Sequence, residues 1–326
     1  MEFFRSVNVD WLRLKWFFLA FSLIFSIAGI VSMASHWAAT GYPVPLGVDF
    51  RGGTEVQLTF VQAPDINAIR QAVDAAGIKD ARITNYGGGY GQGINNAVLI
   101  SLPEQHDEKA LESGQTQVIE ALHAHYGNPI DPKGTKVDVV GPTVGKQLEK
   151  QAVLATLYSM IGMLVYLWFR FQLIYGVAAV VACFHDTLIT VGAFALTGQE
   201  ISLTVIAAIL TLVGYSMNDT IVVFDRIREN LRLSRRESLP DVVNRSINQT
   251  LSRTVLTSGL TFLTVLSLYV FGGEVLKGFS FALVVGILIG TYSSIAVAAP
   301  MLVAWQEWRS RRGKAVVLPA AKRPRV

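Results

Sequence analysis

The chain has 326 residues, 51% of them hydrophobic and 16% charged, with a formal net charge of +4. That is too apolar for a soluble globular protein of this length. Its basic residues gather beside apolar runs, so the charge reads as membrane topology and not as a nucleic-acid surface. The single cysteine, Cys183, sits inside an apolar run and excludes an intrachain disulfide or a cysteine-based metal centre.

Six stretches reach the roughly 20 apolar residues that a helix needs to cross a hydrocarbon core of about 30 Å. They are Trp16 to Ala34, Ala152 to Phe169, Leu173 to Leu196, Leu203 to Phe224, Thr254 to Phe271 and Phe279 to Val303. The first follows Arg5, Arg13 and Lys15 and could be mistaken for a signal peptide. It is longer than a usual signal core and no small-residue cleavage site follows, so it reads as an uncleaved helix. Arginines crowd between spans four and five, from Arg226 to Arg253, while Lys277 alone lies between five and six. By the positive-inside rule both termini and the 226–252 loop are cytoplasmic. All six tryptophans fall near span ends, where amphipathic rings favour the interface.

Residues 1–35 thus form the cytoplasmic N-terminus and first span, 36–151 an extracytoplasmic domain, and 152–308 a five-helix region. In the extracytoplasmic domain Val56, Leu58 and Phe60 alternate as in a strand, and Ile66, Ile69, Ala72, Val73 and Ala76 recur at helical spacing. Strands near Ala81 to Tyr86, Ala97 to Leu102 and Thr135 to Val140, with a helix from Glu108 to Tyr126, complete a βαββαβ, ferredoxin-like order. Gly87 to Gly93 reads as a mobile loop; no helix opens directly after it, so it is not a phosphate cradle. His123 and His125 do not share a helix face, which argues against a metal. The 226–252 loop reads as an amphipathic surface helix, and the basic tail, 309–326, as disordered.

Asp219, inside the fourth apolar run, is the most informative residue. An ionised carboxylate there costs several kcal/mol unless compensated, so intramembrane acids usually face protein and do work. Residues four apart share a helix face. Thr204, Thr211, Tyr215 and Asp219 form one polar stripe with Asn218 and Thr220 beside it; Asp186, Thr190 and Thr197, with His185, form a second; Arg253, Thr257, Thr261 and Thr264 form a third. The threonines could simply bond their own backbone carbonyls, and Arg253 could snorkel to the interface. Gly286 and Gly290 permit close helix packing. Two membrane carboxylates also suit an aspartyl protease, but Gly214-Tyr215-Ser216-Met217-Asn218-Asp219 departs from the GxGD pattern, so no catalytic residue and no enzyme activity are expected. One His beside one Asp makes a poor metal site, and no cofactor motif appears. The stronger reading is a proton relay through Asp219, Arg253 and Asp186, in which a moving arginine would switch the acid between loaded and released forms.

Several segments resemble the SecD/SecF family of bacterial protein-export membrane proteins, in its SecF branch. They are Gly47 to Thr54 (GVDFRGGT), Val140 to Gly145, Gly214 to Asn230 (GYSMNDTIVVFDRIREN), Ser252 to Thr254, Gly272 to Glu274 and Gly290 to Ser294, and they spread over nearly the whole chain. The resemblance implies the RND superfamily, six spans forming half of an RND-type bundle, and a place in the bacterial inner membrane. It also implies SecD, the SecYEG translocon, YajC, translocating unfolded polypeptide and membrane lipid as partners, and proton-driven late export as the task. Asp219 and Arg253 match the family's functional acid and arginine. A proton-coupled RND exporter of lipids or small molecules, or a scaffold for the translocon, stands as the alternative.

Overall fold

The computed structural model describes residues 8–78, 81–85, 96–103, 108–127, 129–131, 135–171, 173–233 and 237–312. The chain opens with α1 (Lys15–Thr40) and a one-turn helix α2 (Val48–Arg51). It continues through β1 (Gly53–Thr59), α3 (Ile66–Ala75), β2 (Arg82–Asn85), β3 (Ala97–Pro103), α4 (Glu108–His125) and β4 (Lys136–Val140). The remainder is helical: α5 (Pro142–Arg170), α6 (Leu173–Thr197), α7 (Leu203–Leu233), α8 (Leu239–Phe271), α9 (Gly273–Ser293), a π turn at Ser294–Ala298, and α10 (Ala299–Arg311). Six segments, with α9, the π turn and α10 acting as one, are long and apolar enough to span a membrane.

The four strands form one antiparallel sheet in the order β2-β3-β1-β4, as the ferredoxin-like reading requires. Alternation places Val56, Leu58, Val98 and Ile100 on one face, fully buried against Ile69 and Val73 of α3 and Val118 and Leu122 of α4. Each such side chain contributes about 1.5–3 kcal/mol when withdrawn from water. The opposite face carries Glu55, directly across from Asp138 on β4 and Ser101 on β3. Burial first, then Asp49, Glu200 and Asp138, pushes the Glu55 carboxyl up to about 7.

This domain is tied to the membrane helices at one place. The Gly47 N–H donates to Ile201 O at 3.0 Å, and Ile201 N–H donates to Pro45 O at 2.8 Å. Asp49 Oδ2 accepts from Leu203 N–H, the first residue of α7, at 2.8 Å, and Arg82 of β2 pairs with Glu200 at 2.6 Å. Gly52 has φ +76°, and a Cβ there would stand 2.8 Å from Pro142 Cα at the start of α5. A Cβ on Gly145 would stand 2.5 Å from Phe50 O, so only glycine lets this segment seat against α5.

Three boundaries differ from those read in the sequence. Helix α5 starts ten residues before Ala152, because Gly141-Pro142 is a good helix start and the polar turn through Lys146 and Glu149 can be helical above the membrane. The 226–252 segment is not a separate surface helix: α7 runs on to Leu233, and α8 starts at Leu239 with Ser238 as its cap. Val243 and Ile247 are buried in the same cluster as Phe224 and Ile227, so the two spans simply continue past the apolar zone as a packed hairpin. Finally, the last span is interrupted by its π turn. The Gly87 to Gly93 loop and nearly all of the tail lie outside the described residues.

Candidate functional site

The membrane helices bring two carboxylates inside. Asp186, at the middle of α6, is fully buried. Its Oδ2 accepts hydrogen bonds from Ser216 of α7 at 2.6 Å and Ser293 of α9 at 2.7 Å, and its Oδ1 lies 3.0 Å from His185 Nδ1. Helices α7 and α9 can close on this point because α9 presents small residues to α7. A Cβ on Gly286 would overlap the Leu212 side chain, and one on Gly290 would press on Ser216 at 3.2 Å. The Gly286/Gly290 pair therefore does the packing that its spacing suggests.

Asp219 lies one α7 turn beyond Ser216, on the same side of the helix. It is 2% exposed, and its Oδ2 accepts from Ser258 of α8 at 2.6 Å. Ser258 and Thr291 line a groove of about 370 Å³ between α1, α8 and α9, so the acid's surroundings open sideways within the bundle. Serine donors soften the cost of burying a carboxylate without neutralising it.

Arg253 does not join this cluster. It is exposed on α8 and makes no ion pair with Asp219, although its charge still acts on that carboxylate from a distance. Thr257 and Thr261 donate to the carbonyls of Arg253 and Thr257, and Thr220 donates to that of Ser216, so these hydroxyls serve their own helices. Tyr215 donates to Thr257 O at 3.4 Å. Asn218 is exposed, as are Thr204, Thr211, Arg253, Thr257 and Thr264, so α7 and α8 show an uncovered polar face at membrane depth. Ser216, Ser258 and Ser293 are the partners that sequence reasoning missed; serine in a membrane helix is too common to stand out, and only the helix packing selects these three. Among the described residues no group of three or more His, Cys, Asp or Glu converges as metal ligands would.

The arrangement can hold a proton on either carboxyl while hydroxyls from neighbouring helices keep the oxygens bonded. Asn244 and Asn248 of α8 bind the backbone of Val9 and Trp11, which sets the N-terminal segment and the α7–α8 hairpin on one face.

Comparison with known proteins agrees with these features. The model of the family "Protein export membrane protein SecD/SecF, C-terminal" matches residues 118–308, and that of the "SecD/SecF GG Motif" matches residues 37–64, the segment seated between α5 and α7. Protein translocase subunit SecF of Koribacter versatilis is 53% identical, covering 99% of this chain and 98% of that protein. SecF of Desulfurispirillum indicum is 43% identical over 93% of each. The crystal structure of SecDF, a translocon-associated membrane protein from Thermus thermophilus, superimposes with a TM-score of 0.76 at 37% identity. That match covers 93% of this chain but only 39% of the SecDF chain. Six spans, a small antiparallel sheet docked through its GG segment, and full-length identity of this order have one reading: the chain is a multi-pass membrane protein of the SecD/SecF family, in its SecF branch.

Proposed function

We propose that the chain is the SecF half of a SecD–SecF complex that assists the SecYEG translocon and uses inward proton movement to drive late protein export, acting as a transport subunit and not as an enzyme. The observation that carries this is Asp219: a carboxylate 2% exposed at membrane depth, hydrogen-bonded to Ser258 and within electrostatic reach of Arg253 without forming an ion pair. An ionisable group so placed is expensive unless its titration is used. One charge crossing about 100 mV gives roughly 2.3 kcal/mol, enough to bias a domain movement.

In this reading both termini and the α7–α8 hairpin are cytoplasmic in the inner membrane, and the sheet domain faces the periplasm and the emerging unfolded polypeptide. SecD supplies the second six spans and covers the polar face of α7 and α8; YajC is a further accessory. Arg253 reaches Asp219 electrostatically here without pairing with it; its closing to a direct ion pair in another state of the complex is the switch. A lipid or small-molecule exporter could use the same acids, but the identity to SecF over the whole chain favours polypeptide as cargo.

The test is export of a secretory precursor into vesicles holding the translocon and the assembled complex, with and without a proton gradient. Asp219→Asn keeps shape and most hydrogen bonding but cannot bind and release a proton. It is expected to assemble normally and lose the gradient-dependent part of export. Full gradient stimulation by a well-assembled Asp219→Asn complex would end the proton reading.

A further inference from the structure

A cavity of about 440 Å³ lies between α1, α6, the start of α8 and the last span. Its mouth is at the membrane face that carries the N-terminal segment, where Lys15, Pro240 and Glu307 line it; its deep wall includes Ser22 and His185. His185 stands twelve residues into α6, about 18 Å from the helix start at a rise of 1.5 Å per residue. The cavity thus runs from the membrane surface to mid-depth. Between mouth and floor the walls are apolar, with Leu19, Val297 and Met301, a lining that blocks water when dry and passes it when wetted.

His185 has two distinct sides. Nδ1 meets Asp186 Oδ1 at 3.0 Å, while Nε2 is buried with no protein partner on a ring that lines the cavity. The charged groups facing it are Asp186 on its own helix and, around the cavity, Lys15 of α1 and Glu307 of α10; α8 contributes the uncharged Pro240. The π turn follows Ser293, an Asp186 donor, and its Ala296 and Val297 line the cavity. Such turns widen a helix locally and concentrate at functional sites.

We propose that His185 and Asp186 form the limb of the proton path that opens to the cytoplasmic face, with this cavity as its exit. The proposal rests on the proton-coupled reading above and adds a route to it. A proton on Asp186 passes from Oδ1 to the free Nδ1 of neutral His185, giving an imidazolium. The Nε2 proton then leaves to cavity water, and the neutral ring keeps its bond to the carboxylate through Nδ1–H. One proton moves inward; the ring then swings away from Asp186 and exchanges protons with cavity water, losing the one on Nδ1 and gaining one on Nε2, which restores the starting tautomer. Ser216, bonded to Asp186, lies one turn from Asp219 on α7, so the limb ends beside the principal acid on that helix.

Two measurements on the full complex test it. With Cys183 replaced by Ala, single cysteines at Val297 and Glu307 are exposed to a small water-soluble thiol reagent from each side of the vesicle, with Leu263→Cys as a lipid-facing control. Val297→Cys is expected to react from the face carrying the termini, faster than the control, under a proton gradient. Reaction at Glu307→Cys with none at Val297→Cys means that lipid chains fill the shaft, and overturns the proposal. In the second measurement, His185→Gln is expected to abolish gradient-stimulated export per assembled complex. Unchanged stimulation in His185→Gln alongside loss in Asp219→Asn removes this limb and leaves proton coupling standing; unchanged stimulation in both removes both.

Discussion

Asp186 and Asp219 are both buried acids, yet their surroundings assign them different burdens. Asp186 joins three helices: through Oδ2 it takes hydroxyls from α7 and α9. Asp186→Ala would leave Ser216 without its acceptor and Ser293 with only the Gly290 carbonyl at 3.2 Å. An orphaned buried hydroxyl costs about 1–3 kcal/mol, so Asp186→Ala should lower the thermal unfolding midpoint of the purified complex, whereas Asp186→Asn, which can still accept both hydroxyls, should leave it nearly unchanged. Asp219 accepts one short serine bond, from Ser258, where Asp186 Oδ2 accepts two, and so has less structural weight. The acids were legible in the sequence because an ionisable residue in an apolar run is rare on energetic grounds. Their serine partners were not, since three residues on three helices meet only through packing. Arg253 was legible as a type and misleading as a contact, because helical spacing places it on a stripe without saying what that stripe faces.

At the scale of the element, periodicity carried far. Alternation marked the first strand, the order of strand and helix segments placed the other three within a few residues, and the apolar runs found the six candidate spans. What failed was the reading of polar sequence at span ends: α7 and α8 continue past the apolar zone because Val243 and Ile247 bury against Phe224 and Ile227, a tertiary effect that hydropathy does not register. Strand β1 holds a further consequence of packing. Glu55, opposite Asp138 and near Asp49 and Glu200, has its carboxyl pushed up to about 7 from an ordinary 4.5. Below pH about 4.5 the group is protonated in both folded and unfolded chains and imposes no penalty. As pH rises from there through 7 the unfolded chain releases its proton first, so stability is lost across that window. For a partly exposed group, screening reduces the effect to on the order of 1 kcal/mol. Glu55→Gln should therefore raise hydrogen-exchange protection of the Val56 and Val137 amides at pH 8 relative to the unchanged chain, with the difference closing at pH 4.5. An equal difference at both pH values would contradict the assignment.

At the scale of the whole molecule, one side of the helix bundle carries an uncovered polar face. The outward polar residues Thr204, Thr211, Asn218, Arg253, Thr257 and Thr264 lie on α7 and α8 at depths where lipid offers no hydrogen bonds. The chain spans 39% of the SecDF chain it matches, and in the proposed reading the second half lies against this face. A bulky side chain in the middle of this face should keep the two halves apart: Asn218→Trp is expected to reduce co-purification of the SecD-like partner in mild detergent while leaving the sheet domain folded, as read by its amide protection. Undiminished recovery of the pair would place the partner on another face. The joint at Asp49 and Glu200 then acquires a mechanical meaning. Asp219 lies sixteen residues from Leu203, about 24 Å along a straight helix. With its outer end fastened to the sheet domain, α7 is a lever: a tilt of about 10° pivoting at Asp219 carries Leu203 some 4 Å sideways at that radius, and the domain above must travel with it. In the proposed reading, a change of one proton at mid-membrane would be converted to a stroke of the sheet domain, because the joint fastens that domain directly to the helix end.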